Sequence, residues 1–154
     1  MSEGRAVRQS GFTLVEYIIV LMCMGVLSSL AFPRVREAMQ RTSVRSARAA
    51  VGTHAAKARA VAVQRGCRSV LHFTSGPDGT VWVTACKTSG AGLDTLDGVE
   101  RIASRFDIVL AATRDSVRFD SRGLNVDYQL TTVRLAAGDM RDSLMINQVG
   151  KVVR

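Results

Sequence analysis

Gly11-Phe12-Thr13-Leu14-Val15-Glu16 opens an apolar run that continues to Phe32. From Phe12 to Phe32 there are 21 residues, and Glu16 is the only charged one. About 20 helical residues at about 1.5 Å each span the hydrocarbon layer of a bilayer, so the run predicts a membrane-crossing helix. A lone acid inside such a span is costly and implies a cationic partner. The span itself supplies none. A secretory signal differs in layout, with a shorter apolar region of about 7–15 residues and a small-residue cleavage site behind it. Here the leader Met1–Gly11 contains Arg5 and Arg8 and nothing apolar enough to insert. Cleavage is therefore expected before the apolar segment, and the helix is expected to continue through Pro33.

The junction at residues 11–16 resembles the processing site of type IV pilins and pseudopilins. The resemblance implies a prepilin peptidase that cuts after Gly11 and methylates the new amine of Phe12. It implies that Glu16 pairs with the N-terminal amine of a neighbouring subunit during filament assembly. Gly25 and Pro33 fall where the family often has a glycine and a helix-loosening proline. The implied setting is a single-pass inner-membrane protein, head in the periplasm, later extracted into a filament of other pilin or pseudopilin subunits.

Charge is unevenly distributed along the 154 residues. Residues 34–68 hold nine basic residues against Glu37, for +8, whereas residues 69–154 balance ten against ten. The whole formal charge of the chain thus resides in the stem. Arg34, Arg41, Arg45, Arg48 and Arg59 share one helical face, opposite a small apolar stripe of Val44, Ala47, Val51, Ala55, Ala58 and Ala62. The apolar stripe is expected to pack on a sheet. Three readings of the basic face stay open: a solvated surface, a surface against lipid headgroups or acidic neighbouring subunits, and a nucleic-acid contact through Arg41, Arg45 and Arg48. No aromatic residues for stacking on single-stranded bases accompany these arginines. Counting Lys and Arg beside the span predicts a cytoplasmic stem. The processing motif implies the reverse orientation, which is the one adopted.

Beyond the stem the pattern turns to short β-rich runs. Ser69–Thr74 and Thr80–Cys86 flank Ser75-Gly76-Pro77-Asp78-Gly79 and read as a hairpin. Further strands are expected at Arg105–Ala111, Ser116–Asp120, Val126–Leu135, Ser143–Asn147 and Lys151–Arg154, with Lys87–Gly98 a mobile loop. The fold class is therefore α+β, a long N-terminal membrane-spanning helix packed on a C-terminal antiparallel sheet. Its expected parts are a leader at 1–11, the spanning half of the stem at 12–33, the basic half at 34–66 and the head at 67–154.

Residues 60–66, Phe119-Asp120-Ser121-Arg122-Gly123 and Gly150-Lys151-Val152-Val153-Arg154 resemble the GspH/FimT branch of pseudopilins in particular. That branch implies a minor subunit, here of a type II secretion pseudopilus. The alternative is a FimT-type minor pilin that binds DNA for uptake. Some members on that side carry a C-terminal Gly-Arg-x-Arg, and Lys151 and Arg154 are the corresponding cations. Lysine lacks the bidentate fork of the first arginine.

Cys23 lies in the apolar run and reads as a small apolar residue. Cys67 and Cys86 flank the open end of the hairpin and form the candidate disulfide, the alternative being two buried thiols. His54 and His72 fall on different elements, and no cysteine pair has the spacing of a zinc site. No nucleophile, phosphate loop or carboxylate pair emerges. Neither an enzyme, a metal nor a cofactor is expected.

Overall fold

The computed structural model describes residues 13–153, which leaves Gly11, Phe12 and Arg154 outside the described residues. The chain divides into two compact units, Met1–Glu37 and Ala38–Arg154. Helix α1, Leu14–Arg65, contributes to both.

Within the first unit α1 presents exposed apolar side chains among the described residues. Leu14 is 76% exposed, Met22 70% and Phe32 73%. This is the one helix among the described residues long and apolar enough to cross a membrane. A continuous apolar surface of this extent needs lipid or neighbouring helices around it. Pro33 lies inside α1, where it withholds one backbone N–H from the helix ladder.

In the second unit the stripe predicted from spacing is the floor of the core. Val44, Ala47, Val51, Ala55, Ala58 and Ala62 are buried in one cluster with residues from every layer of the head. Their small side chains let strands approach the helix closely. Ser69 donates its hydroxyl to the Ala58 carbonyl at 2.6 Å, and Leu144 comes within 3.6 Å of where a Gly52 Cβ would stand. The helix ends in a Schellman motif: Gly66 has φ 62°, its N–H reaches the Val63 carbonyl, and the Cys67 N–H reaches that of Ala62. Glycine takes this left-handed conformation without steric cost, and the two bonds satisfy helix-end carbonyls.

The strands are β1 Ser69–Phe73, β2 Val81–Cys86, β3 Leu93–Glu100, β4 Val109–Ala112, β5 Ser116–Phe119, β6 Thr131–Ala137, β7 Met140–Ile146 and β8 Val152–Val153, with a short helix α2 at Ile102–Phe106. They form two antiparallel sheets, ordered β3-β2-β1-β5 and β4-β6-β7-β8. The expected hairpin is β1–β2, with Ser69 opposite Ala85 and Phe73 opposite Val81. Burial alternates with period two along β1, β2 and β6, the signature of strands with one face on a core. The described chain is therefore a long N-terminal apolar helix followed by antiparallel sheets.

Four expectations need correction, the first being the strand expected at Val126–Leu135, which begins only at Thr131 after turn and irregular backbone at 126–130. A single sheet was expected, and there are two, because alternation reveals strands but not their partners. Lys87–Gly98 was expected to be a loop, yet Leu93–Glu100 is an edge strand against β2. Its Asp/Gly-rich composition hides it, and positive φ at Asp97 and Gly98 marks a register shift opposite Val81 and Val83. Arg105–Ala111 was expected to be one strand. It is divided between the end of α2 and the start of β4, with Asp107 in the left-handed conformation as the helix cap.

The Phe119–Gly123 segment has a structural explanation. Phe119 is fully buried, while Asp120 Oδ1 accepts the Arg122 and Leu124 N–H groups at 2.9 and 2.8 Å. Gly123 has φ 77°, and a Cβ there would stand 2.9 Å from Arg59 Cγ and 3.0 Å from Val63 Cγ2. Gly150 closes on the same spot, where a Cβ would meet the Phe119 ring at 2.9 Å. Gly123 and Gly150 thus meet beside Val63, near the end of the stem. Gly123→Ala should cost about 1–2 kcal/mol from the backbone alone, plus the displacement of Val63. A thermal melt of the purified protein in detergent checks it, and an unchanged midpoint would contradict the close packing.

Candidate functional site

The assembly segment begins at the first turn of α1. The Glu16 N–H donates to the Thr13 carbonyl at 3.0 Å and reaches the Thr13 hydroxyl at 3.3 Å. Thr13-x-x-Glu16 has the spacing of a capping box, and an acid in the first turn is favoured by the helix dipole. Glu16 therefore has a local role available to it besides any intermolecular one. Its side chain is exposed, and no Lys or Arg lies between Phe12 and Phe32. A Cβ placed on Gly25 would meet nothing within 4 Å. Packing inside the chain therefore does not require that glycine, which instead leaves a notch on an outward apolar surface.

The basic stem has two differently charged flanks. On one, His54, Lys57 and Arg65 meet Glu100, Asp97 and Asp94. The acids recur every third residue along β3, running antiparallel to the helix. His54 Nε2 lies 2.6 Å from Glu100 Oε2, and Arg105 meets the other oxygen. These bonds, that from His54 foremost, hold the Glu100 carboxyl below its usual range. This ladder ties the edge strand to the helix, and sequence reading missed it because β3 itself was read as a loop. The i, i+3, i+6 spacing of Asp94, Asp97 and Glu100 was the available signal.

On the other flank the predicted face is not uniformly open. Arg48 Nη1 donates to Asp142 Oδ2 at 3.1 Å, both side chains three-quarters or more buried. Arg45 and Arg41 stand on the same side and line a concavity with Arg141 and Asp142. Arg59 crosses Gly123. Arg34 belongs to the first unit. Lys151 is exposed, its backbone N–H bound to Asn147 Oδ1 at 2.7 Å, and it lines a groove of about 580 Å³ with Arg59, Val63 and Gln64.

Elsewhere the polar groups are structural. Asp127, whose side chain is 6% exposed, binds Arg118 and lies 3.9 Å from Arg114. The Arg118 hydrogen bonds hold its carboxyl below the ordinary value. His72 stacks on Trp82 with centroids 4.8 Å apart, and burial lowers its pKa. Cys67 and Cys86 are joined, with Cα atoms 6.3 Å apart. No group of three or more metal-ligating side chains occurs among the described residues.

The chain matches the family model described as the prokaryotic N-terminal methylation motif over residues 7–32. No curated protein matches the chain significantly. Two solved structures of the type IV minor pilin FimU from Pseudomonas aeruginosa have the same fold. In one crystal form the identity is 13%, covering 73% of this chain and 88% of FimU with a TM-score of 0.60. In the other the identity is 18%, covering 71% and 90% with a TM-score of 0.52. The chain thus carries a prokaryotic N-terminal methylation motif at one end and has the fold of the pilin FimU over most of its length.

Proposed function

We propose that the chain is a minor subunit of a pilin-like filament, cut by a prepilin peptidase after Gly11, methylated at Phe12 and assembled through α1. The observation that carries this is the Gly11–Glu16 junction inside the methylation motif, ahead of an apolar helix with one acid. Before extraction the protein is a single-pass inner-membrane protein with its head in the periplasm. The Cys67–Cys86 bridge supports that orientation, since disulfides persist in oxidising compartments. Charge counting at the span points the other way, but part of the stem's charge is answered by β3 and Asp142, as described above.

Mass spectrometry of the protein from its native membrane should find a chain that begins at Phe12 and carries one extra methyl group. Gly11→Ala should retain the leader. An intact leader in the native protein, or an inactive alkaline phosphatase fused behind Arg154, would refute the processing or the orientation respectively.

The secretion pseudopilus expected from sequence and a type IV pilus share this assembly step. The likeness to FimU, described as a type IV minor pilin, favours the pilus. Deletion of the gene should then reduce surface pili and leave protein secretion intact. A DNA-binding subunit would use the groove of Arg59, Gln64 and Lys151. Salt-dependent retention on DNA that is lost in a Lys151→Gln, Arg154→Gln variant is the mark of that reading.

A further inference from the structure

A sheet edge offers another chain a row of unpaired backbone groups, and three of the four edges in the head are guarded. The outer sides of β4 and β5 are covered by the chain itself, through the bridges Gly76–Leu110 and Phe119–Asn125. The edge of β3 is broken by the bulge at Asp97 and Gly98, a device that discourages pairing. Strand β8 has no such cover among the described residues. The Asn147 N–H reaches the Lys151 carbonyl, then Val152 stands opposite Ile146 and Val153 opposite Met145. Bonded and non-bonded pairs alternate along an antiparallel ladder, so the Val152 N–H and carbonyl point away from β7. Among the described residues neither meets a hydrogen-bond partner.

Val152 also lines the groove of about 580 Å³ whose other wall is α1. Ala56, Ala60 and Val63 give that wall an apolar surface, while Arg59 and Lys151 are the charged residues of the groove. Both are exposed, and neither is ion-paired among the described residues. Two cations and no acid therefore line it.

We propose that this groove binds an extended acidic segment of a protein partner, which pairs with the free edge of β8. An added strand supplies the acceptor and donor that Val152 lacks, and its alternate side chains reach the apolar wall. Carboxylates along it meet Arg59 and Lys151 in charge-assisted hydrogen bonds, whereas a basic segment is repelled by both. Nucleic acid is a poorer occupant. It engages the cations but leaves the apolar wall unused, offers Val152 no strand to pair with, and finds no aromatic side chain in the groove on which to stack.

The test is fluorescence anisotropy of the full-length protein in detergent, with a labelled synthetic peptide of alternating valine and glutamate. That peptide should bind saturably, and its counterpart with lysine for glutamate should not. Val152→Pro removes the free N–H, which does not serve β7, and proline is tolerated at such an edge position. Affinity should then fall roughly fivefold. Arg59→Gln with Lys151→Gln should weaken binding roughly tenfold. Arg68→Gln with Arg101→Gln removes equal charge elsewhere and should leave it nearly unchanged. Circular dichroism excludes misfolded variants. Equal binding of the two peptides, equal loss in both double variants, or full affinity in a folded Val152→Pro chain overturns the proposal. So does a DNA duplex that binds more tightly than the peptide and itself depends on Arg59 and Lys151. The groove needs no filament to be filled, and the intact mass of the same preparation reports on the N-terminus. A failure of the processing reading is thus seen separately from a failure of peptide binding.

Discussion

A chain carrying Glu16→Ala should be cut after Gly11, methylated and anchored, yet be nearly absent from sheared filaments. The acid sits in the first turn of an exposed apolar helix with no cation in its own span. When such helices gather side by side, an unpaired carboxylate loses hydration and gains nothing. A neighbour's N-terminal amine would supply the missing charge only in one register. Breaking a buried pair by removing one partner costs about 3–5 kcal/mol, so incorporation should fall roughly 100- to 4000-fold. The structure also offers a competing role, because Thr13 and Glu16 have capping-box spacing and are already hydrogen-bonded through the backbone. Glu16→Gln separates the two. Glutamine serves at the third position of a capping box but carries no charge. If Glu16 only caps the helix, the glutamine variant assembles normally; if it pairs with an amine, that variant fails nearly as badly as alanine. Quantifying each variant against the major subunit in purified filaments decides it, with normal incorporation of Glu16→Gln counting against the ion pair.

What could be read from the chain divides by the range of the interaction. The spanning segment follows from one unbroken apolar run, and the stripe from Val44 to Ala62 follows from helical spacing; both are local regularities that packing then used. The β1–β2 hairpin was legible because Pro77 and the flanking glycines mark its turn. The partition into two sheets was not, since no local pattern tells β4 to leave β5 and pair with β6. Strand β3 was hidden for a different reason. Apart from half-buried Leu96, which packs against the core, most of its residues are exposed, so it has no burial alternation, and ion pairs with His54, Lys57 and Arg65 tie it to the stem. The same ladder alters the reading of the stem's charge. Lys57 and Arg65 are answered by β3 and Arg48 by Asp142, while Arg41 and Arg45 line a concavity with Met140 and Arg141 of β7 and Arg59 lies against Gly123.

Removing the Cys67–Cys86 bridge should be the largest single loss of stability in the head. The bond closes a loop whose ends are 19 positions apart, and in the chain-entropy account that is worth about 3 kcal/mol. Its place in the fold adds to this. Cys67 is the residue on which the Schellman motif of α1 closes, and the Cys86 carbonyl accepts a 2.6 Å hydrogen bond from Arg65 in the last turn of the same helix. The bridge thus ties the start of the β1–β2 hairpin to the point where the chain leaves the helix, and it holds β2, the partner of the ion-paired edge strand β3. Without it the helix end, β2 and β3 can separate together, which is the usual form of sub-global opening. For a unit of this size a loss of about 3 kcal/mol lowers the unfolding midpoint by roughly 10–15 °C. Cys67→Ala with Cys86→Ala, compared with the oxidised protein in the same detergent, should show that shift, and reductant should reproduce it in the unaltered chain. Amide exchange should quicken first in β2 and β3 and last in the Val44–Ala62 stripe. A double variant that melts within about 2 °C of the oxidised protein would leave the entropy account without support.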